Sequence, residues 1–412
     1  MRVTTAFNRA LKLPGTVVEG VEFTGDGLVL SVRRSRRLHE CPCGARSGAR
    51  YDTSRRRWRH LDFGATRVWL QADIARIACR VCNRVRTEAV PWARPGARHS
   101  RDFEDVVAWL AQRMDKTAVA ELMHCSWASV DRIVGLVVAE HLDDSRLDGL
   151  VRIGVDEISY RLGHKYLTLV ADHDTGDVVW AGEGRDRAAL GRFFDALGPS
   201  RTAQLRAVTM DLGGAYRGET TARAPQAAIV ADPFHVIAMA SRALDSVFRS
   251  ARVRFPDDIT HNHRPNRRIW AATQLALRKG AERLSESHHA LLAALRHGHE
   301  DVYRAWQLKE RLRDLYRIVE PARARRYLQR WIRDANASGI RPMANLAGTI
   351  ATHLDHIVNA VTLGLSNSRN EGINAKVRLI QRRGYGHHSA RSLIAMVYLC
   401  CSGITIQLPT QR

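Results

Sequence analysis

No apolar run in this 412-residue chain reaches the length needed to cross a bilayer, so neither a membrane-spanning helix nor a membrane partner is expected. The first residues, MRVTTAFNRALKLPG, lack the apolar core of a signal peptide, and a cytosolic protein is expected. Cysteine is sparse. Seven thiols in a reducing compartment point to metal binding or plain burial rather than disulfides. Lysine is rare and acids are outnumbered: 64 Lys and Arg against 42 Asp and Glu leave a formal charge of +22, nearly all from arginine. Such an excess suits nucleic acid. The guanidinium fork suits phosphates and guanine edges, but a GC-rich genome gives the same arginine bias, so the ratio of arginine to lysine is not itself a functional clue. The length allows more than one domain.

The chain is organised around Val151–Asp186. It reads as three short strands, Arg152–Ser159, Tyr166–Asp172 and Val178–Gly182, with a turn at Asp174-Thr175-Gly176-Asp177. The first carries Asp156-Glu157. A carboxylate inside a strand needs a partner or a metal. Neighbours on a strand face opposite ways, so one of the two is expected to face chemistry and the other to face elsewhere. Arg187–Leu197 has helical spacing. Leu205–Met210 is a further apolar run that delivers Asp211 before Gly213-Gly214. Ala227–Ala231 ends at Asp232-Pro233, and Val236–Arg249 is helical again. The order is β-β-β-α-β-α-β-α. If the fourth strand lies parallel beside the first, Asp156 and Asp211 converge, as in a magnesium site for phosphoryl transfer on nucleic acid.

Ahead of this stretch, a short helix and strands Val17–Phe23 and Leu28–Arg33 precede two cysteine pairs, Cys41-Pro42-Cys43 and Cys79-Arg80-Val81-Cys82. The four sulfurs resemble the ligands of a zinc ribbon, although the first pair is one residue short. His39 is the alternative ligand if the short loop cannot place both sulfurs. The bland reading is a small reduced core. Arg55, Arg56, Arg57 and Arg59 on the intervening β-like segment are candidate phosphate contacts. The composition of Pro91–Arg98, PWARPGAR, predicts a linker. Asp102–Arg113, Thr117–Met123 and Trp127–Val138 form a helix-turn-helix pattern, with Ser126 as an N-cap. In that geometry Ser129 and Arg132 face bases or phosphates. The alternative is an ordinary helical hairpin. Cys125 reads as a buried apolar residue.

Beyond a loop-like Arg254–Asn266, the spacing predicts helices over Trp270–Lys279, Ser287–His297, Val302–Leu315, Ala322–Ala335 and Leu346–Thr362, an all-α insertion with Trp270, Trp306 and Trp331 in its core. Then comes LSNSRNEGINAKVRLIQRRGYG, Leu365–Gly386. Ser366, Asn367 and Ser368 are N-cap types, Glu371 lies in the first turn and Asn374 one turn on. Lys376, Arg378, Arg382 and Arg383 supply a basic, DNA-facing character before Gly384. Glu371 reads equally as a metal ligand or as a surface glutamate among arginines, and spacing does not decide.

These pieces together resemble the DDE-type transposases of bacterial insertion sequences, and more narrowly the ISL3 family. The resemblance rests on the four cysteines, the GVDE run with Asp156, TMDLGGAY with Asp211, DPFH from Asp232 to His235, and SNSRNEGINAKVRLIQRRGYG with Glu371. It spans nearly the whole chain. It implies an α/β fold: a ribonuclease-H-like catalytic core with a large all-α insertion, preceded by a zinc ribbon and a helix-turn-helix. The corresponding boundaries are 1–98 (zinc ribbon region), 99–149 (helix-turn-helix), 150–250 (core, first part), 251–345 (insertion) and 346–412 (core, last part with the glutamate helix). It also implies that Asp156, Asp211 and Glu371 are the catalytic triad, holding two Mg²⁺ or Mn²⁺ ions about 4 Å apart. Zinc is then structural, and Asp232 and His235 are accessory. The implied activity is binding of the terminal inverted repeats, metal-dependent cleavage and strand transfer into target DNA by cut-and-paste. The implied partners are double-stranded DNA and a second copy of the chain or more, on the bacterial nucleoid in the cytoplasm. Two other readings are a catalytically inactive DNA-binding regulator descended from a transposase, and a nuclease that cuts without joining. The acids argue against the first and the zinc ribbon with its helix-turn-helix against the second. His387 and His388 have no assigned role.

Overall fold

The computed structural model describes residues 2–47, 50–161, 163–254, 260–261, 264–265, 267–366, 368–384, 387 and 389–411. Two compact units emerge, Met1–Asp143 with Leu379–Arg412, and Asp144–Arg378.

The first unit begins with α1 (Val3–Leu11), β1 (Thr16–Thr24), β2 (Gly27–Arg34), β3 (His39–Glu40), β4 (Arg46–Ser47), β5 (Asp52–Phe63), β6 (Thr66–Cys79) and β7 (Arg84–Thr87). Five strands form a sheet in the order β1-β2-β6-β5, with β7 also on β6; β3 and β4 pair separately. Alternation along β6 sends Val68, Leu70, Ala72 and Ile74 into one core with Leu28, Leu30 and Trp58. Gly27 cannot be replaced cheaply: its φ is +120°, and a Cβ there would lie 2.3 Å from the Arg67 carbonyl oxygen.

The Pro91–Arg98 segment is not a linker. Trp92 is buried edge-on against Trp58, ring centroids 5.8 Å apart, and Arg59 N–H donates to the Arg98 carbonyl at 3.1 Å. Arg94 is buried and reaches Glu104 at 3.2 Å, Asp105 at 2.6 Å and Glu140 at 2.7 Å. Composition suggested freedom; a buried indole and a fully paired guanidinium override it. Burial pushes the Glu104 carboxyl up to about 7, against the opposing pull of Arg94. Arg94→Met, which leaves these acids without their cation, is expected to cost about 3–5 kcal/mol in a chemical-denaturation series.

Next come α2 (Arg101–Ala111), α3 (Lys116–Leu122) and α4 (Trp127–His141). Ser100, Asp115 and Ser126 each accept a backbone N–H as N-caps. The chain bends by 104° between α3 and α4, within the helix-turn-helix range, and His124 takes a left-handed φ of 48° in the turn.

The second unit carries β8 (Arg152–Arg161), β9 (Lys165–Asp172), β10 (Val178–Glu183), α5 (Arg187–Thr202), β11 (Ala207–Met210), α6 (Gly214–Arg223), β12 (Ala228–Ala231) and α7 (Pro233–Arg254). Its five-stranded sheet has the order β10-β9-β8-β11-β12. β9 is antiparallel to both neighbours, and β11 is parallel to β8 and β12. Ile153, Val155, Val170, Phe193, Val208 and Met210 share its core.

Helices α8 (Arg267–Arg278), α9 (Glu286–Gly298), α10 (Glu300–Asp314), α11 (Pro321–Ala337), α12 (Arg341–Thr352) and α13 (Leu354–Leu363) follow, then α14 (Ser368–Arg383). Trp270 and Trp331 are buried in one core, and Trp306 packs half-buried against it. The buried Lys309 ammonium donates to the carbonyls of Leu277 (2.7 Å) and Lys279 (3.0 Å), closing the end of α8. Thr260–His261 pairs with Arg264–Pro265 where a plain loop is predicted, and most of that loop lies outside the described residues, as do Asn367 and His388. Asn359 on α13 donates to the Ile229 carbonyl at 2.9 Å and so covers the β12 edge.

The boundary of the two units falls within α14, and α15 (Ala390–Cys401) lies in the first unit. The reason is local. Ser392 on α15 donates to Asp131 of α4 at 2.5 Å and accepts from Lys116 at 2.9 Å. The Gln112 amide reaches the carbonyls of Leu399 (2.8 Å) and Ile404 (3.1 Å). Among the described residues, no single helix is long and apolar enough to cross a membrane.

Candidate active site and cysteine cluster

The parallel β8–β11 ladder sets Thr209 opposite Gly154. Two residues further along, where β11 ends, Asp211 and Asp156 come side by side. Both line a cavity of about 400 Å³ within the second unit, together with Glu157, Arg185 and His235. Asp156 accepts the Glu157 N–H at 2.7 Å and the Asn374 side-chain N–H at 2.6 Å. Burial raises its pKa and the neighbouring Asp211 charge raises it further, while those two hydrogen bonds pull it down. Asp211 Oδ2 accepts from His235 Nδ1 at 2.8 Å. That hydrogen bond, helped by the charges of Asp211, Asp232 and Asp156, raises the His235 pKa against burial. Asp232 is 2% exposed, and its Oδ2 lies 3.9 Å from His235 Nε2. One donor atom each from Asp211, Asp232 and His235 lies within 4.8 Å of the others.

Two features of the sequence reading change here. Glu157 does not face elsewhere: it lines the same cavity as Asp156 and approaches Arg185 at 3.8 Å. The β8–β11 ladder stops at Gly154, so at Asp156 and Glu157 only β9 pairs with β8. Glu371 is exposed in the first turn of α14 and is not among the residues lining the cavity. Asn374, one turn on along the same helix, is the residue that touches Asp156.

The site fits an oxygen-seeking divalent cation. Asp211 Oδ1 and Asn374 Oδ1 are both buried without a hydrogen-bond partner. Buried orphan acceptors beside two adjacent carboxylates are the donor set that magnesium or manganese takes.

In the first unit, the short first cysteine pair closes properly. Cys41 N–H donates to the Ala45 carbonyl at 2.7 Å and Gly44 N–H to the Cys41 carbonyl at 2.8 Å, a tight turn that Gly44 permits with a φ of +87°. Cys41 and Cys82 sulfurs stand 3.8 Å apart, those of Cys43 and Cys79 3.6 Å apart, and all four lie within 4.8 Å of one another. A zinc tetrahedron with Zn–S of about 2.3 Å has edges of about 3.8 Å, so the set fits structural zinc. Within this set the backbone N–H of Cys82 lowers the Cys79 thiol, while that of Cys41 is raised, against the backbone N–H of Cys43, by burial and the neighbouring sulfurs, as expected where close thiols share few ionised forms without a cation. His39 is not needed as a ligand: its Nδ1 lies 2.8 Å from Glu88 and 2.8 Å from Arg34.

The predicted DNA contacts separate into exposed and covered groups. Arg55, Arg56 and Arg57 are exposed on β5, Arg55 in a two-point pair with Asp73 (3.0 and 3.2 Å). Arg59 drops out. It is 6% exposed, pairs with Asp62 and lies over the Trp69 and Phe103 rings at 5.9 and 5.6 Å. It shares a strand face with Arg55 and Arg57, and the start of α2 covers it there: Ser100 N–H donates to the Arg59 carbonyl at 2.8 Å. Ser129 is half-buried, its hydroxyl 3.0 Å from that of Ser126. Arg132 is half-buried, 3.5 Å from His99. Lys376, Arg378 and Arg382 are exposed on α14, whereas Arg383 donates to the Gln112 carbonyl at 3.2 Å. Sequence reasoning missed Arg217, Arg242 and His353 around the cavity, because isolated basic residues in helices carry no motif.

Comparison with known proteins agrees with this arrangement. Residues 153–397 match a family described as "Transposase", residues 88–135 the helix-turn-helix domain of transposase family ISL3, and residues 37–82 the zinc-finger of transposases IS204/IS1001/IS1096/IS1165. The transposase for insertion sequence element IS1557 of Mycobacterium tuberculosis is 39% identical over 422 residues, covering 96% of this chain and 94% of that protein. The transposase for insertion sequence element IS1001 of Bordetella parapertussis is 30% identical over 386 residues, covering 90% and 92%. With a catalytic-domain match over more than half its length and two such full-length relatives, the chain belongs to the ISL3 family of DDE transposases, DNA-binding enzymes that cleave DNA.

Proposed function

We propose that the chain binds the terminal inverted repeats of its insertion sequence and carries out cleavage and strand transfer at the Asp156–Asp211 cavity, by cut-and-paste. The observation that carries this is the meeting of the two aspartates in one cavity, Asp156 on β8 and Asp211 just past the end of the parallel β11, with Asp211 Oδ1 buried and unpartnered. The β10-β9-β8-β11-β12 order, with the last two strands parallel to β8, supports a ribonuclease-H-like core, and α8–α13 support an all-α insertion into it.

Asp156 and Asp211 would hold the divalent ions, and Glu371 would complete the set. The case for Glu371 is its place three residues before Asn374, on a helix that already reaches Asp156. Bound there, two Mg²⁺ or Mn²⁺ ions would supply activation of the attacking oxygen and neutralise charge on the leaving oxygen. Asn374 fixes the Asp156 carboxylate, and His235 fixes that of Asp211. Asp232, buried behind His235, favours its protonated form. The Cys41, Cys43, Cys79 and Cys82 cluster would hold one structural zinc. Arg55, Arg56 and Arg57, the α4 residues Ser129 and Arg132, and Lys376, Arg378 and Arg382 are the proposed DNA contacts. Two ends must be brought together, so at least a dimer on nucleoid DNA is proposed.

The test is incubation of the purified chain with DNA carrying the element's ends. Nicked and joined products are expected with Mg²⁺ or Mn²⁺ and none with EDTA. Tight end binding with no cleavage under any metal would instead identify a regulator, and cutting without joining a nuclease.

A further inference from the structure

The acidic cavity has a basic wall. Arg242 of α7 lines it, is exposed, and has no acidic partner among the described residues. His353, at the junction of α12 and α13, lines it too and is 8% exposed. The Arg217 guanidinium of α6 lies 2.9 Å from His353 Nδ1. Arg185, by contrast, is engaged with Glu157 and lies over the Tyr166 ring at 4.0 Å.

An arginine can only donate, so the His353 nitrogen facing it accepts and the ring is neutral. Burial and the adjacent Arg217 charge both act in that direction, lowering the His353 pKa. The Nε2 atom lies 3.4 Å from the same guanidinium nitrogen, so Arg217 holds the ring from one side. The cavity therefore presents a guanidinium without an acidic partner and a neutral imidazole held by a second guanidinium, beside carboxylates that attract cations. The carboxylates do not neutralise this wall. An anion does, and a chain of phosphodiesters would place one phosphate at the carboxylates and a neighbour at the wall.

We propose that Arg242 and the Arg217–His353 pair form a clamp for a DNA backbone phosphate next to the scissile one. Arg242 binds the phosphate directly; Arg217 is a positioning residue that acts through His353. The clamp rests on the reading of this cavity as the phosphoryl-transfer site. Its role is to fix the strand's direction through the cavity, so that the reacting phosphate meets the carboxylates in line.

The test uses the full chain, Mg²⁺ and end DNA with a liberated 3′-hydroxyl, carrying a neutral methylphosphonate at one phosphate at a time. Arg242→Gln is expected to lower the joining rate on ordinary DNA about tenfold or more. At one position near the 3′ end, the methylphosphonate should slow the unaltered chain by a similar factor and slow Arg242→Gln no further. Arg217→Gln and His353→Leu should be insensitive at that same position, while His353→Gln, which keeps both an acceptor and a donor, should recover most of the rate. Effects that multiply at every position, or an Arg242→Gln rate equal to that of the unaltered chain, overturn the clamp. Arg242 is exposed, so its substitution does not threaten folding. If the unaltered chain joins nothing, the phosphoryl-transfer reading itself fails, and binding decides the clamp. The slope of log K against log salt should then be shallower by about 0.9 for Arg242→Gln, and an unchanged slope overturns it.

Discussion

Asp156→Asn and Asp211→Asn are each expected to lower metal-dependent cleavage and joining by about 10³-fold or more, with end binding retained. The amide keeps the shape of the carboxylate. Asparagine at 156 can still accept the Glu157 N–H, so the middle of β8 should not rearrange. What disappears is one of two charges on adjacent strands. Those charges are costly without a cation: each aspartate sits in the other's field, and burial adds to the cost at Asp156. The same repulsion would drive the binding of a divalent ion. The double variant should therefore be little worse than either single one, because the pair acts as a unit. A loss of only a few fold in either variant would place the chemistry elsewhere.

The pH dependence follows with a definite sign. Asp156 has a raised pKa, so without metal it keeps its proton to higher pH than a free aspartate. A bound cation requires the ionised form, so proton and metal compete. The metal concentration at half-maximal rate should fall as pH rises through the shifted pKa. His235 works in the same sense, since its protonated ring holds Asp211. A metal requirement independent of pH would contradict the assignment of these acids as ligands.

Most of the catalytic sheet was legible because its strands are apolar and its turns carry glycine and aspartate. Convergence of Asp156 and Asp211 needed only one assumption, that β11 lies parallel beside β8, and the register bears it out. The cysteine cluster was legible for a similar reason: four chemically equivalent residues have few alternatives. What could not be read depended on distant packing. Nothing in the composition of PWARPGAR reveals that Arg94 lies among three acids from α2 and α4. Arg59 looks like its exposed neighbours Arg55 and Arg57, and only the start of α2 beneath it turns it into a core residue. Glu157 was misplaced because strand alternation describes a continuous sheet, and the ladder stops just before it. The place of α15 beside α4 depends on a Lys116–Asp131–Ser392 contact spanning more than 250 residues of sequence.

Removing zinc is expected to abolish recognition by the N-terminal knuckles while leaving the sheet beneath them folded. Strands β3 and β4 have two residues each, and the cluster beneath them consists mainly of Cys41, Cys79, Ala75 and Ile77. So little apolar area cannot order a hairpin alone, and small metal-bound modules draw about 10–16 kcal/mol from the ion. The main sheet, by contrast, has its own core around Leu28, Leu30, Trp58 and Leu70. Cys43→Ser should thus lose the metal, detected as less than one zinc per chain by elemental analysis, and should expose residues 39–47 to proteolysis. Thermal melting of the rest should change little. Weakening of end binding by about 10- to 100-fold is expected if the knuckle positions the arginines of β5. His39→Gln should keep its zinc, since its imidazole is already held by Glu88 and Arg34. Full zinc in Cys43→Ser together with zinc loss in His39→Gln would reverse the ligand assignment and restore the histidine as the fourth ligand.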